Sequence, residues 1–273
     1  MSDNRTVVIT AGNRGGGLAL SRLFAARGAR IAMIAEKVDS PEQTPVELDS
    51  PSELLSIDFD DEAQINEAVE HIITRFKTID VLINNFSVFN FKTVANSTAG
   101  MFNDVMKNVF ATFFFSKASA VHLKHSANPH IINISPPFHM DSAKLACQHH
   151  LLFSISKYGM SFTTMGMAEE FKPLGIAVNS LWQERPVATK TLLDNFANQV
   201  VEGSNYPEIY AEAAYLMSLK PAGTFTGNYC IDESILIEAG IDPLQYAINK
   251  NAAPVKDIFL PGVDYNRLKE LLS

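Results

Sequence analysis

Hydrophobic positions along the chain fall into short runs separated by longer stretches with helical spacing. The first run, Val7–Ile9, is apolar and β-branched, the pattern of a strand covered on both faces. Further runs at Arg30–Ile34, Leu54–Ile57, Ile79–Ile83, His130–Ile134, Ile176–Leu181 and Asn228–Ile231 predict six more strands. Between them, Leu18–Arg27, Glu62–Phe76, Met101–His122, Gln148–Phe171 and Tyr206–Ser218 read as helices. In Glu62–Phe76 the residues Ile65, Ala68, Val69, Ile72 and Phe76 share one face. Alternating strand and helix predicts an α/β fold, a doubly wound parallel sheet in three layers with helices on both faces. One domain spanning residues 1–273 is expected. It carries a glycine-rich βα turn within 6–27, an irregular loop of the substrate-covering kind at 182–207, and a C-terminal tail at 233–273.

The turn after the first strand holds Gly12, Gly15, Gly16 and Gly17. Glycines let backbone N–H groups approach an anion, and the N-terminus of the following helix adds roughly half a positive charge, so strand, turn and helix form a phosphate cradle. The plainer alternative is a tight turn without a ligand, but glycines are poor helix formers and three in a row need a reason. The second strand ends at Ala35-Glu36-Lys37, where an adenosine ribose would lie in a dinucleotide-binding unit. Glu36 favours NAD there, whereas Arg14 and Lys37 favour the extra phosphate of NADP.

A chain of 273 residues, 47% hydrophobic and 19% charged, can bury the core of one such domain. Its formal net charge of −8, without a sustained basic run, argues against nucleic acid and anionic membranes as partners. Cys147 and Cys230 lack metal-type spacing, so a metal site is not expected and a reducing, cytoplasmic setting fits. No apolar run is long enough to span a membrane. The first strand starts too early to leave room for a signal peptide, and Leu271-Leu272-Ser273 is not a peroxisomal address.

Taken in order, Thr10–Gly17, Asp58 with Asn84-Asn85, Asn108 with Lys157, and Phe225-Thr226-Gly227 leading to Asp232 resemble the short-chain dehydrogenase/reductase family over Thr6–Asp232. IINISPP (Ile131–Pro137), SKYGMSFTTMGMAEEFK (Ser156–Lys172) and FTGNYCIDESIL (Phe225–Leu236) are most similar to its hydroxysteroid dehydrogenase-like branch. The resemblance implies a Rossmann fold that binds NAD or NADP through Thr10, Gly12, Asn13, Arg14, Gly15, Gly17, Glu36, Asp58, Phe59, Asn85 and Lys157. It also implies a tyrosine acid, a lysine that lowers its pKa and holds the nicotinamide ribose, a serine on the substrate oxygen, and an asparagine that anchors a water. Homodimers or homotetramers built on the two long helices are implied as well. Phe110, Phe113, Phe114 and Phe115 on the first of these suit core or interface.

The departures sit at the chemistry. Phe153 stands where the tyrosine of Tyr-x-x-x-Lys belongs, four residues before Lys157, and it has no proton to give. Pro136 takes the serine's place, and Ser135 beside it faces the other way on an extended chain. Ala11 replaces the first glycine, with Gly12 beside it as a partial substitute. Phe86 and Ser87 replace small residues and would crowd a cofactor, and Gln183-Glu184 replaces a Pro-Gly pair and brings a negative charge to the nicotinamide pocket. Residues three, four and seven apart share a helix face, so His150 lies on the side of Phe153 and Lys157 and is the substitute acid to weigh; Tyr158 points elsewhere. Its ordinary pKa of roughly 6.5 suits the role, and so does its place seven residues before the lysine, where enoyl reductases carry their tyrosine. The bland alternative is a polar residue near a helix start. Two functions follow. One is an NAD(P)-dependent oxidoreductase acting on an apolar carbonyl, alcohol or enoyl substrate with Lys157, Asn108, Ser135 and His150. The other is a non-catalytic relative, a dinucleotide sensor or partner subunit.

Overall fold

The computed structural model describes residues 3–36, 47–139 and 150–262. Its seven strands form one parallel sheet in the order β3-β2-β1-β4-β5-β6-β7. These are β1 Thr6–Thr10, β2 Arg30–Glu36, β3 Ser52–Ile57, β4 Val81–Asn84, β5 His130–Ile134, β6 Ala177–Trp182 and β7 Tyr229–Ile231. The strand order reverses between β1 and β4, so the C-terminal ends of these two strands open the crevice in which doubly wound sheets hold ligands. In register, Val7 lies beside Ile31 and Val81, and Ile9 beside Met33 and Ile83.

The alternation of a strand explains the two cores. Val7 and Ile9 of β1, with Ile31 and Met33 of β2, face one layer. Val8, Ala32 and Ile34 face the other. Helix α1 (Gly15–Ala26), α7 (Glu208–Leu219) and α8 (Asp232–Glu238) cover the first; α2 (Glu62–Phe76) and α3 (Ala99–Leu123) cover the second. Helix α4 (Leu151–Glu170) packs along α3 and contributes to both, Phe153 to the first and Met167 to the second. Asp61 caps α2, accepting from Ala63 N and Gln64 N, and Thr98 caps α3 through Met101 N. Among the described residues, no helix is long and apolar enough to cross a membrane.

Two expectations shift in detail. The first helix begins at Gly15 rather than Leu18, so Gly16 and Gly17 lie inside its first turn; tertiary packing overrides their poor propensity. The 182–207 stretch carries two short helices, α5 (Lys190–Asn195) and α6 (Asn198–Glu202). After α8 the chain returns to the end of β6 at Val255–Leu260.

Candidate active site

The glycine turn is shaped by what surrounds it. A Cβ on Gly17 would lie 1.9 Å from the carbonyl oxygen of Ala11, and one on Gly16 would lie 1.9 Å from the hydroxyl of Tyr210 on α7. Tyr210 Oη donates to Asn85 Oδ1 at 2.7 Å, while Asn85 Nδ2 donates to the Thr10 carbonyl at 3.0 Å. Thr10 Oγ1 accepts from the backbone N–H groups of Asn85 and Phe86 at 2.9 and 3.0 Å. Thr10, Asn85 and Tyr210 therefore lock the end of β4 to the end of β1. Tyr210 is buried, and that burial pushes its phenol well above its ordinary range. Ala11 adopts the left-handed conformation itself, with φ at 52°, which Gly12 does not take over. Arg14 stands exposed at the N-cap of α1, where its carbonyl accepts from Leu18 N at 3.0 Å and its side chain makes no capping hydrogen bond.

At the adenosine end, Glu36 faces Lys107 of α3, with Nζ 3.3 Å from Glu36 Oε1 and 3.2 Å from Asp60 Oδ2. Burial pulls the Lys107 pKa down, but the hydrogen bond to Asp60 and the charges of Glu36 and Asp60 outweigh it and hold it above its ordinary value. Asp58 accepts from Gln64 Nε2 at 3.1 Å. Phe59 and Phe86 turn inward, edge to face at 4.3 Å, so the Phe59 side chain is core and Phe86 does not crowd the crevice. Asn13 is half-buried beside the turn, and Lys37 lies outside the described residues.

The catalytic end is built differently. Phe153 is buried in α4, stacked on Phe89 at 4.6 Å. Phe91 meets His150 edge to face at 5.0 Å and Phe196 at 5.7 Å. His150 precedes α4 as its N-cap residue and is buried. Ser135 is turned away: Ser180 Oγ donates to the Ser135 carbonyl, so the Ser135 hydroxyl supplies the proton of its own 3.1 Å contact with Ser180 Oγ. In this arrangement the Ser135 proton is directed at Ser180 rather than at a substrate oxygen. Asn108 Nδ2 donates to the Val88 carbonyl and to Ser156 Oγ, both at 3.0 Å, and Asn108 Oδ1 accepts from Val88 N at 2.7 Å. Both its protons hold the loop after β4 and helix α4, leaving one lone pair of Oδ1 for a water.

Lys157 is 1% exposed. Its ammonium donates to the Ile134 carbonyl at 2.9 Å and lies 5.8 Å from the Phe153 ring and 5.4 Å from the Trp182 ring. Burial pulls its pKa down to about 7, against the opposing charge of Asp257. Asp257 comes from the returning C-terminal segment. It accepts from Trp182 Nε1 at 2.7 Å, Gln183 Nε2 at 2.9 Å and Phe259 N at 3.0 Å. The expected charge of Glu184 is paired with Lys256 at 3.5 Å, and the Glu184 N–H donates to buried Asp232, whose pKa burial raises to about 8. Trp182, Tyr210, Asp257 and Phe259 are not candidates on sequence alone. Only Trp182, directly before the departed Pro-Gly pair, carries a signal that could draw attention.

A short-chain dehydrogenase family model matches residues 5–199. The chain belongs to the short-chain dehydrogenase family. Within it, the chain sides with the hydroxysteroid dehydrogenase-like branch. It is 34% identical to hydroxysteroid dehydrogenase-like protein 2 of Danio rerio over 97% of this chain and 66% of that protein, and 35% identical to the Homo sapiens protein over 93% and 63%. It thus spans about two thirds or less of the curated relatives it matches. Among solved structures, a short chain dehydrogenase from Mycobacterium thermoresistibile superposes with a TM-score of 0.81 at 30% identity, covering 95% of this chain and 98% of that one. A blue fluorescent protein from a metagenomic library, solved with NADPH, shares the fold with a TM-score of 0.73 at 22% identity, covering 84% and 96%.

Proposed function

We propose that this member of the short-chain dehydrogenase family binds a nicotinamide dinucleotide but has lost the proton-donating step of ordinary carbonyl reduction, so that it serves as a dinucleotide-binding sensor or partner subunit. The observation that carries this is Phe153, a ring packed on Phe89 where the family places its acid, with the Ser135 proton already spent on Ser180. The residues at the phosphate and adenosine end fit the cofactor. Gly15 has φ at 50°, and a Cβ on it would meet no atom nearer than 3.5 Å, so there is room at the N-terminus of α1, next to exposed Arg14. Arg14, Asn13, Gly15, Gly17, Glu36 and Asp58 would hold its adenosine and phosphates, and Lys157 its nicotinamide ribose. When bound, the cofactor supplies hydride transfer.

A second reading, an oxidoreductase on an apolar carbonyl, alcohol or enoyl substrate, draws on His150. Its ring meets Phe91, which stacks on Phe89 and through it on Phe153, and this neighbourhood supports His150 as the proton donor of that reading. The exposed Phe102, Phe113 and Val121 of α3, with Ile155, Phe162 and Met165 of α4, suit a homodimer or homotetramer under either reading.

One set of measurements separates them. NADPH and NADH are titrated into the protein by cofactor fluorescence, and turnover of simple ketones is followed at saturating dinucleotide. Binding with negligible turnover, raised about 10²–10⁴-fold by Phe153→Tyr, is expected. Absence of binding by both dinucleotides ends both readings. Turnover that His150→Ala lowers at least tenfold would install the oxidoreductase instead.

A further inference from the structure

We propose that Val255–Leu260 is a built-in plug, a segment that occupies the nicotinamide end of the crevice and must be displaced before Lys157 engages a dinucleotide. The inference rests on the dinucleotide-binding reading and extends it to regulation of the same site.

The segment is seated, not merely nearby. Phe259, 1% exposed, meets Phe153 at 5.9 Å, Tyr158 at 5.5 Å and Trp182 at 5.4 Å, the same Phe153 and Trp182 rings that flank the Lys157 ammonium. Asp257 takes the Trp182 indole N–H and the Gln183 amide, and its own N–H donates to the Glu184 carbonyl at 2.9 Å. Gln183 and Glu184 stand in place of the Pro-Gly pair that follows the sixth strand in the family's pattern, so the two departures there are the residues that receive the segment. Val255 N donates to the Gly203 carbonyl at 3.1 Å, and a Cβ on Gly203 would lie 2.7 Å from Val255 Cγ2. Gly203 therefore lets the segment lie close against α6. In this seat Lys157 is buried, with two of its protons directed at the Ile134 carbonyl and Met160 Sδ. The buried Asp257 carboxyl lies within electrostatic reach of the buried Lys157 amine, and its hydrogen bonds to Trp182, Gln183 and Phe259 form a polar anchor that water or a ligand can compete for.

The chain holds a single tryptophan, Trp182, so its emission reports on the seat directly. NADPH and NADH are titrated into the full-length wild type, Phe259→Ala and Asp257→Asn, each checked for native circular dichroism. Binding is read by cofactor fluorescence and by Trp182 emission excited at the indole. Expected are a dinucleotide affinity at least tenfold higher in whichever variant keeps the fold, and a red-shifted Trp182 emission in the free variants that saturating dinucleotide reproduces in the wild type. Binding by the variants alone would support the plug most strongly. Equal affinities with an unmoved Trp182 emission overturn the plug while leaving dinucleotide binding intact. Weaker binding by the folded variants also overturns it, because the segment would then be a support for the site. No binding by any of the three proteins overturns both the plug and the reading beneath it.

Discussion

The two ends of the crevice handle charge in opposite ways. At the adenosine end, Arg14, Glu36, Asp58, Asp60 and Lys107 are exposed or half-buried, and Lys107 joins Glu36 and Asp60 in an ion-pair cluster that water still reaches. At the catalytic end, Lys157, Asp232 and Asp257 are almost wholly buried, Lys157 and Asp257 of them against aromatic rings, and burial pushes each toward its neutral form. One end keeps its charges within reach of water; the other is packed like a protein core. On the reading proposed above, Phe153 gives no proton and is free to pack as a core residue, against Phe89 at 4.6 Å and Phe259 at 5.9 Å.

The largest expected effect tests whether that packed end exists in solution. With Lys157 lowered from 10.5 to about 7, the unfolded chain binds a proton between those values that the folded chain does not. Stability from this group therefore rises with pH from about 7 to 10.5 and is lowest below 7, by on the order of 5 kcal/mol across the window. Lys157→Met should remove that rise, which is read as the difference between wild-type and variant denaturation curves at several pH values. Asp232 acts with the other sign in a lower window: raised from 3.8 to about 8, it favours the fold below 4 and loses that stabilisation as pH climbs through 8. Taking the difference isolates the lysine. Wild-type and variant curves that run parallel from pH 7 to 10.5 would mean a solvated Lys157 and would erase the contrast between the two ends.

A smaller effect sharpens the comparison from the cradle side. Gly16 is glycine because the Tyr210 hydroxyl stands where its side chain would be. Gly16→Ala should destabilise by about 2–3 kcal/mol, a clash against a rigid and hydrogen-bonded ring. Tyr210→Leu, which removes the hydroxyl and shortens the side chain, should recover part of that cost in the double variant. A coupling of at least about 1 kcal/mol is expected; strictly additive losses would show that the ring does not shape the turn.

Much of the fold can be read from local patterns, and much of the site cannot. Runs such as Val7–Ile9 and His130–Ile134 announce strands because a strand covered on both faces needs unbroken apolar residues, and the glycine cluster announces a close approach of backbone at the start of α1. Phe153, four residues before Lys157, is visible because helical spacing fixes the relation. The inward turn of Ser135 likewise follows from the alternation of an extended chain. What stays hidden depends on contacts between distant segments. Nothing local distinguishes Asp257 or Phe259 from any other acid and ring in a tail; their meaning comes from Trp182, about seventy-five residues earlier. Tyr210 and Gly16 explain each other only once α7 lies against α1. Phe86 looks obstructive from its position after Asn84-Asn85, but a buried partner, Phe59, draws it out of the crevice.

The smallest effect concerns Ala11, where the two ends meet at the close of β1. Its φ of 52° is a conformation in which a Cβ crowds the following carbonyl, at a cost of about 1–2 kcal/mol. Its surroundings hold it there: Ala11 N donates to the Ile34 carbonyl at 2.6 Å, and the Ala11 carbonyl lies where a Cβ on Gly17 would be. Ala11→Gly relieves the crowding but frees the unfolded chain, which returns about 0.4–1 kcal/mol of the gain. A net stabilisation of about 0.5–1 kcal/mol is expected in equilibrium denaturation, with dinucleotide affinity unchanged because the backbone path is already the one a glycine would take. A destabilised variant would mean that Ala11 leaves the left-handed region in solution, and the cradle would then differ in shape from the one that receives Tyr210 and Asn85. A stabilised variant with altered affinity would show instead that the strain at Ala11 is used to set the turn for its ligand, making the open end of the crevice as specialised as the closed one.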